Sequence, residues 1–206
     1  MTTLPLIWAE AGDIGELLAS DAGQGWVREQ LESRFTVAPL DMLDEAALAT
    51  LDRLVLAQPR ALSPEENVVL DAWVRGGGQV LLLADPMLTR PSRFPVGDRR
   101  RPQDVVLLSP ILTHWGLELL FDDHQAEGER SVEIEGARIP LDLAGSFRVK
   151  PGATCTLSGA GVLARCRLGK GRVVALADAA VLDDAESGAL PTRHEALDKL
   201  LALAFD

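Results

Sequence analysis

After Gln79 comes the unbroken apolar run Val-Leu-Leu-Leu-Ala84, which reads as a strand covered on both faces. Such a strand needs packed elements above and below its sheet, and the residues just before it supply one. Ser63-Pro64-Glu65-Glu66 opens a helix: the Ser63 hydroxyl accepts from an otherwise unpaired amide, Pro64 suits the first helical position, and Glu66 completes a capping box. The helix is predicted to run to about Arg75. Gly76-Gly77-Gly78 then ends it, because a residue without Cβ enters the left-handed region freely.

The residues upstream continue the alternation. Leu4 to Ala9 reads as a first strand, Trp26 to Phe35 as a helix, Phe35 to Leu40 as a second strand, and Arg53 to Ala57 as a third; Asp44 caps a helix through Leu51. Strands alternating with amphipathic helices imply an α/β fold, with a mostly parallel sheet flanked by helices and right-handed crossovers. Leu88 to Asp104, carrying Pro91, Pro95 and Pro102, is expected to be a long loop at the carboxyl edge of that sheet, and Ser109 to cap a short helix closed by Gly116.

Composition shifts after Leu117, and residues 118–170 read as a β-hairpin-rich insertion within one domain spanning 1–206. One hairpin turns at Glu135-Gly136-Ala137 and another at Gly159-Ala160-Gly161, while Gly169-Lys170-Gly171 leads into a buried strand, Arg172 to Ala177. A last helix, Arg193 to Phe205, presents Ala196, Leu197, Leu200, Leu201 and Ala204 on one side. Val80-Leu-Leu-Leu-Ala-Asp85 and Val173-Val-Ala-Leu-Ala-Asp178 echo each other, weak evidence for duplication.

With 206 residues, 47% of them hydrophobic, the chain can bury a full core without a metal or disulfide, and no cofactor is called for. A net charge of −11 argues against nucleic acid as a partner; Arg99-Arg100-Arg101 lies between Asp98 and Asp104 and reads as a solvated loop. No apolar run approaches the roughly 20 residues that cross a bilayer, and the start lacks the marks of a secretory leader. A strand starting so near Met1 fits either a chain trimmed of its leader or a short native N-terminus.

Ligands in a parallel α/β sheet collect outside the carboxyl ends of its strands, where Glu10, Asp85 and Asp178 are expected to line a cleft. Three acids there could hold a hard cation or act as acid and base, but an aspartate after a strand more often caps a turn, which is the favoured reading. No Gly-x-Ser-x-Gly elbow occurs, and no two of His114, His124 and His194 stand at ligand spacing. The glycine-rich pieces precede strands, whereas a dinucleotide site needs them after one. A two-residue turn at Ala160-Gly161 sets Cys155 opposite Cys166 at a hydrogen-bonded position, where bridging is strained, so two reduced, buried thiols are expected. A disulfide would instead imply an oxidising compartment.

Leu54-Val-Leu-Ala-Gln-Pro-Arg-Ala-Leu-Ser-Pro-Glu-Glu66, with Leu70-Asp-Ala-Trp-Val-Arg-Gly-Gly-Gly-Gln-Val-Leu-Leu-Leu-Ala-Asp-Pro86, resembles the soluble domain of gliding-motility-type (GldG-like) ABC-transport auxiliary proteins. Gly171 to Asp178 is similar to that family's later strand and Leu197 to Phe205 to its closing helix. The resemblance implies a flavodoxin-like or class I glutamine amidotransferase-like fold that has lost the catalytic Cys, akin to a domain of an intraflagellar-transport subunit. It also implies a role beside ABC-transporter subunits on the periplasmic side, anchored by a segment not present here; the chain would be cytoplasmic if Met1 is the native start. The expected function is non-catalytic binding or assembly, with a protein partner or a saccharide-like ligand at the sheet's carboxyl edge. Two alternatives stand beside it: a carboxylate- and metal-dependent hydrolase or transferase using Asp85 and Asp178, and a homo-oligomeric scaffold.

Overall fold

The computed structural model describes residues 1–7, 25–184 and 189–206. Among these, β1 (Arg53–Ala57), β2 (Gln79–Leu83) and β9 (Gly171–Leu176) are parallel neighbours. Beyond β9, β8 (Leu163–Leu168) and β7 (Cys155–Ser158) pair antiparallel, completing the order β1-β2-β9-β8-β7. Two small antiparallel sheets flank it: β3 (Leu117–Leu120) with β6 (Ser146–Val149), and β4 (Arg130–Ile134) with β5 (Ala137–Leu141).

The expected mostly parallel, flavodoxin-like or amidotransferase-like sheet is therefore corrected to a mixed one: of the six strand pairings among the described residues, two are parallel and four antiparallel. The cause is local. Leu168 pairs with Gly171 across only Gly169 and Lys170, and a connection of two residues can join antiparallel neighbours alone, since a parallel return needs a dozen or more. Gly169, at φ 60°, supplies the left-handed residue that this turn requires.

Helices cover both faces of the central sheet. On one, α5 (Leu190–Phe205) sets Ala196, Leu197, Leu200 and Leu201 against Leu81, Leu83, Val174 and Leu176, together with Ile139 and Leu141 of the β4–β5 hairpin. On the other, α3 (Pro64–Gly76) and α4 (Ser109–His114) pack Leu70, Val74, Ile111 and Leu112 against Val80, Leu82, Val173 and Ala175. Successive strand residues thus feed opposite cores, as a sheet covered on both sides requires.

The capping box of α3 is present: the Ser63 hydroxyl accepts from the Glu66 amide at 3.2 Å and the Glu66 carboxylate from the Ser63 amide at 2.8 Å. Glu66 also accepts from Arg60 and from the Leu43 amide, and its bonds with Arg60 hold its carboxyl down to about 2. Among the described residues two shorter helices precede it, α1 (Trp26–Glu32) and α2 (Glu45–Leu48), the latter capped by Asp44 as expected.

Several expected elements differ. Leu4 to Ile7 form bends, and Ala9, the end of the expected first strand, lies outside the described residues; among the described residues of this segment only Thr2 bridges β1, in parallel with Ala57. Residues 36–40 form no strand. Each segment holds a proline, Pro5 or Pro39, which removes a ladder donor. Ser109 is the first residue of α4 and not its cap, a position taken by Leu108.

Cys155 does face Cys166, but the pair is bridged, and the expectation of two free thiols is corrected. A 3-10 turn at Gly159–Gly161 replaces the two-residue turn, and the hydrogen-bonding phase of the ladder shifts. The Arg167 amide donates to the Thr154 carbonyl at 3.0 Å, so Thr154 and Arg167 form the hydrogen-bonded pair and the cysteines the narrow, non-bonded one, with Cα atoms 4.0 Å apart.

Replacing both cysteines by serine is expected to lower stability by about 3 kcal/mol, the loop-closure contribution for so short a span, read as a lower urea midpoint. A Cβ on Gly171 would stand 2.0 Å from the Val74 carbonyl oxygen and 2.3 Å from that of Gly78, whereas one on Gly76 meets nothing within 4 Å. Gly171→Ala is thus expected to cost about 1–3 kcal/mol and Gly76→Ala to be neutral or stabilising, both measured by urea unfolding.

Candidate functional site

The register of β2 on β9, Val80 opposite Val173 through Leu83 opposite Leu176, carries on past the strand ends and sets Asp85 beside Asp178. The two echoing segments of the sequence are thus adjacent strands in step. Both aspartates are buried, at 1% and 0% exposure. Glu10, the third expected member, lies outside the described residues.

Every carboxylate oxygen of the pair accepts a backbone amide. Asp85 takes Met87 at 2.8 Å and Ala179 at 3.2 Å; Asp178 takes Ala180 at 2.5 Å and Asp142 at 2.9 Å. These bonds tie the exits of β2, β9 and β5 to one another, which is what turn-capping aspartates do. Gln58, fully buried at the end of β1 with φ 44°, adds a third strand end. Its side-chain oxygen accepts from the Asp85 amide at 2.9 Å, and its nitrogen donates to the Asp85 and Gln103 carbonyls at 3.0 and 2.8 Å.

Burial, more than any other cause, pushes Asp85 up to about 7, and it raises Asp178 well above the usual carboxylate range, helped by the charge of Asp85. Asp183 is pushed up to about 6 by burial against the opposing pull of Arg90 and Arg193. Arg90 donates to the Leu182 carbonyl, to Asp183 at 3.4 Å and to Asp184 at 2.6 Å, while Arg193 bonds the Ala180 carbonyl and Glu129.

Sequence reasoning missed Gln58, Asp142, Asp183, Arg90 and Arg193. For Gln58 a signal existed in the strand-Gln-Pro pattern at Leu54 to Pro59. The others gather through tertiary packing and carry no local mark.

From the carboxyl end of β2 the chain leaves in a long loop, closed at its neck by the Val106 amide on the Asp85 carbonyl at 3.0 Å and the Leu88 amide on the Asp104 carbonyl at 2.9 Å. The loop exposes Met87, Val96, Val105 and Leu107, from 40% to 84%. Elsewhere, a cleft of about 460 Å³ opens along β1, between Leu31, Phe35, Val37, Leu40, Leu51 and Phe205. Arg34 and Arg53 each stand over the Phe35 ring, 5.6 and 5.5 Å from its centre.

Residues 17–135 match the family described as an ABC-type uncharacterized transport system, ABC transporter auxiliary in kind, and the match spans more than half of the chain. The chain belongs to this family. No curated protein sequence matches this ABC-transport auxiliary chain. In fold it is similar to the mmIFT52 N-terminal domain, at 15% identity and a TM-score of 0.58 over 86% of this chain and 88% of that one. It is also similar to part of Gan42B, a GH42 beta-galactosidase of G. stearothermophilus, at 14% identity and a TM-score of 0.51 over 95% of this chain. A third likeness is the exo-beta-1,4-mannosidase Op5Man5 from Opitutaceae bacterium strain TAV5, at 16% identity and a TM-score of 0.50 over 81% of this chain. The auxiliary chain spans 27% of either glycosidase's length, and at these identities the likeness concerns fold alone. None of its described helices is long and apolar enough to cross a membrane.

In an unfolded auxiliary chain Asp85, Asp178 and Asp183 titrate near 4, so between about pH 4 and 7 the folded form holds protons that the unfolded form has released. Stability from this cluster is therefore present at low pH and lost as pH rises through that window. The Glu66–Arg60 pair has the opposite sign and is lost only as pH falls towards 2. The urea midpoint is expected to be higher at pH 5 than at pH 8, with the change flattened in Asp178→Asn.

Proposed function

We propose that the chain is a non-catalytic assembly domain of an ABC-transporter-associated protein, of the GldG-like kind, and that it docks transporter subunits through the loop at the carboxyl end of β2. The observation that carries this reading is the loop's exposed apolar content. Of seven large hydrophobic side chains exposed among the described residues, four, Met87, Val96, Val105 and Leu107, stand on this one loop. Exposed apolar side chains on a loop whose neck is held rigidly suit a protein partner, since they lose water on docking without a large ordering cost. Membership in a transport-system family supplies the partner class.

The full use of the Asp85 and Asp178 oxygens by backbone amides supports the non-catalytic part of the proposal: neither carboxylate has an oxygen without an amide donor to spare for a substrate. The Cys155–Cys166 bridge supports placing the domain in an oxidising compartment. A carboxylate-dependent hydrolase remains the competing class, with the same two aspartates as its acid and base.

The test is binding of the purified domain to the detergent-solubilised transporter complex, followed by fluorescence anisotropy. Val96→Ser with Leu107→Ser is expected to weaken binding at least tenfold while leaving the melting temperature of the domain within a few degrees. Unchanged binding by this variant removes the loop from the interface. Turnover of a saccharide or ester substrate that disappears in Asp85→Asn while the fold persists replaces the assembly reading by the enzymatic one.

A further inference from the structure

The carboxylate junction does more than cap turns, because the segments it joins belong to different parts of the molecule. Asp85 holds the first residues of the long loop through the Met87 amide and the exit of β9 through the Ala179 amide. Asp178 holds the exit of the β4–β5 hairpin through the Asp142 amide. No lysine or arginine bonds to either carboxylate among the described residues. The charged groups acting on the pair are Asp142 from the β5 exit and Asp183 from the segment after β9, and Asp183 in turn faces Asp184, Arg90 from the loop and Arg193 from α5. Both arginines are engaged away from the pair: Arg90 with Asp183 and Asp184, Arg193 with Glu129 and a carbonyl. One oxygen of Asp142 is buried without a hydrogen-bond partner, which adds to the negative potential at the junction.

We propose that Asp85 and Asp178 form a proton-operated latch, which clamps the neck of the loop and the exit of the β4–β5 hairpin to the sheet while a proton is retained, and loosens both when that proton is lost to solvent. Two ionised carboxylates side by side in a dry pocket repel, and water must enter to solvate them. The Met87, Ala179 and Asp142 amides are the links these oxygens make, and they are the ones expected to open, since β2 and β9 are locked by their ladder and the neck and hairpin keep their other backbone bonds. Burial raises the proton affinity of both acids, pushing Asp85 up to about 7, so ionisation of the pair is completed only above the usual carboxylate range. The latch stands apart from the transport reading: it predicts motion in the isolated domain whether or not the loop meets a transporter.

Amide hydrogen exchange of the isolated full chain, corrected for the intrinsic pH dependence of exchange, tests it. Between pH 5.5 and 8.5 the protection of the Met87, Asp142, Ala179 and Ala180 amides is expected to fall at least tenfold, while that of Leu81 and Val174 in the central strands falls by less than threefold. Asp178→Asn removes one of the two ionisations and is expected to abolish the selective fall. Protection of the four amides that stays constant with pH, or that falls in step with Leu81 and Val174, overturns the latch on the wild-type chain alone, and a full selective fall persisting in a folded Asp178→Asn variant overturns it equally.

Discussion

The in-register pairing of β2 with β9 is the contact on which the rest of the molecule depends. It aligns two runs of buried aliphatic residues so that alternate side chains enter opposite cores, one closed by α5 and the β4–β5 hairpin, the other by α3 and α4. A slip of one residue would send every one of those side chains to the wrong face, so both cores act together to hold the register. The same alignment brings two aspartates together at the strand ends, and this adjacency is a by-product of the register that the cores demand.

Placing two acids side by side under cover opposes folding, and the structure offsets the cost with oriented backbone. Four amides point at four carboxylate oxygens, and Gln58 supplies a side-chain amide that imitates a neighbouring strand where β1 has ended. The arrangement keeps the exits of several elements in fixed relation, although the connections between them are long. It also gives the long loop a firm base while its tip stays open to solvent.

Local chemistry was legible in the sequence wherever one short segment decided the outcome. Ser63 and Glu66 announced their capping box, Asp44 its helix, and the residues of β1 and β2 their burial. The antiparallel hairpins of β4–β5 and β7–β8 were legible too; what escaped was that β7 and β8 join the main sheet and make it mixed. The hairpin glycines at 169 and 171 were visible, but not that β8 joins the middle of the main sheet there, where the Val74 carbonyl of α3 and the Gly78 carbonyl just before β2 come so close to Gly171 that no side chain fits. The cysteine pairing was legible and its bonding phase was not, because a 3-10 turn and a two-residue turn give the same facing residues with opposite ladder phases. At the carboxylate junction the two strand-end aspartates could be read from their echo, whereas Asp142, Asp183 and the two arginines arrive from segments distant in sequence.

The Cys155–Cys166 bridge fastens the outermost strand, β7, to its neighbour at the edge opposite β1. A pulling force along the chain enters this region through one sulfur and leaves through the other, bypassing the 11-residue separation between them. About 40 Å of contour length, at roughly 3.6 Å per residue, is therefore withheld from any mechanical extension of the domain. Under tension along the chain, that edge would keep its shape until the bridge is reduced.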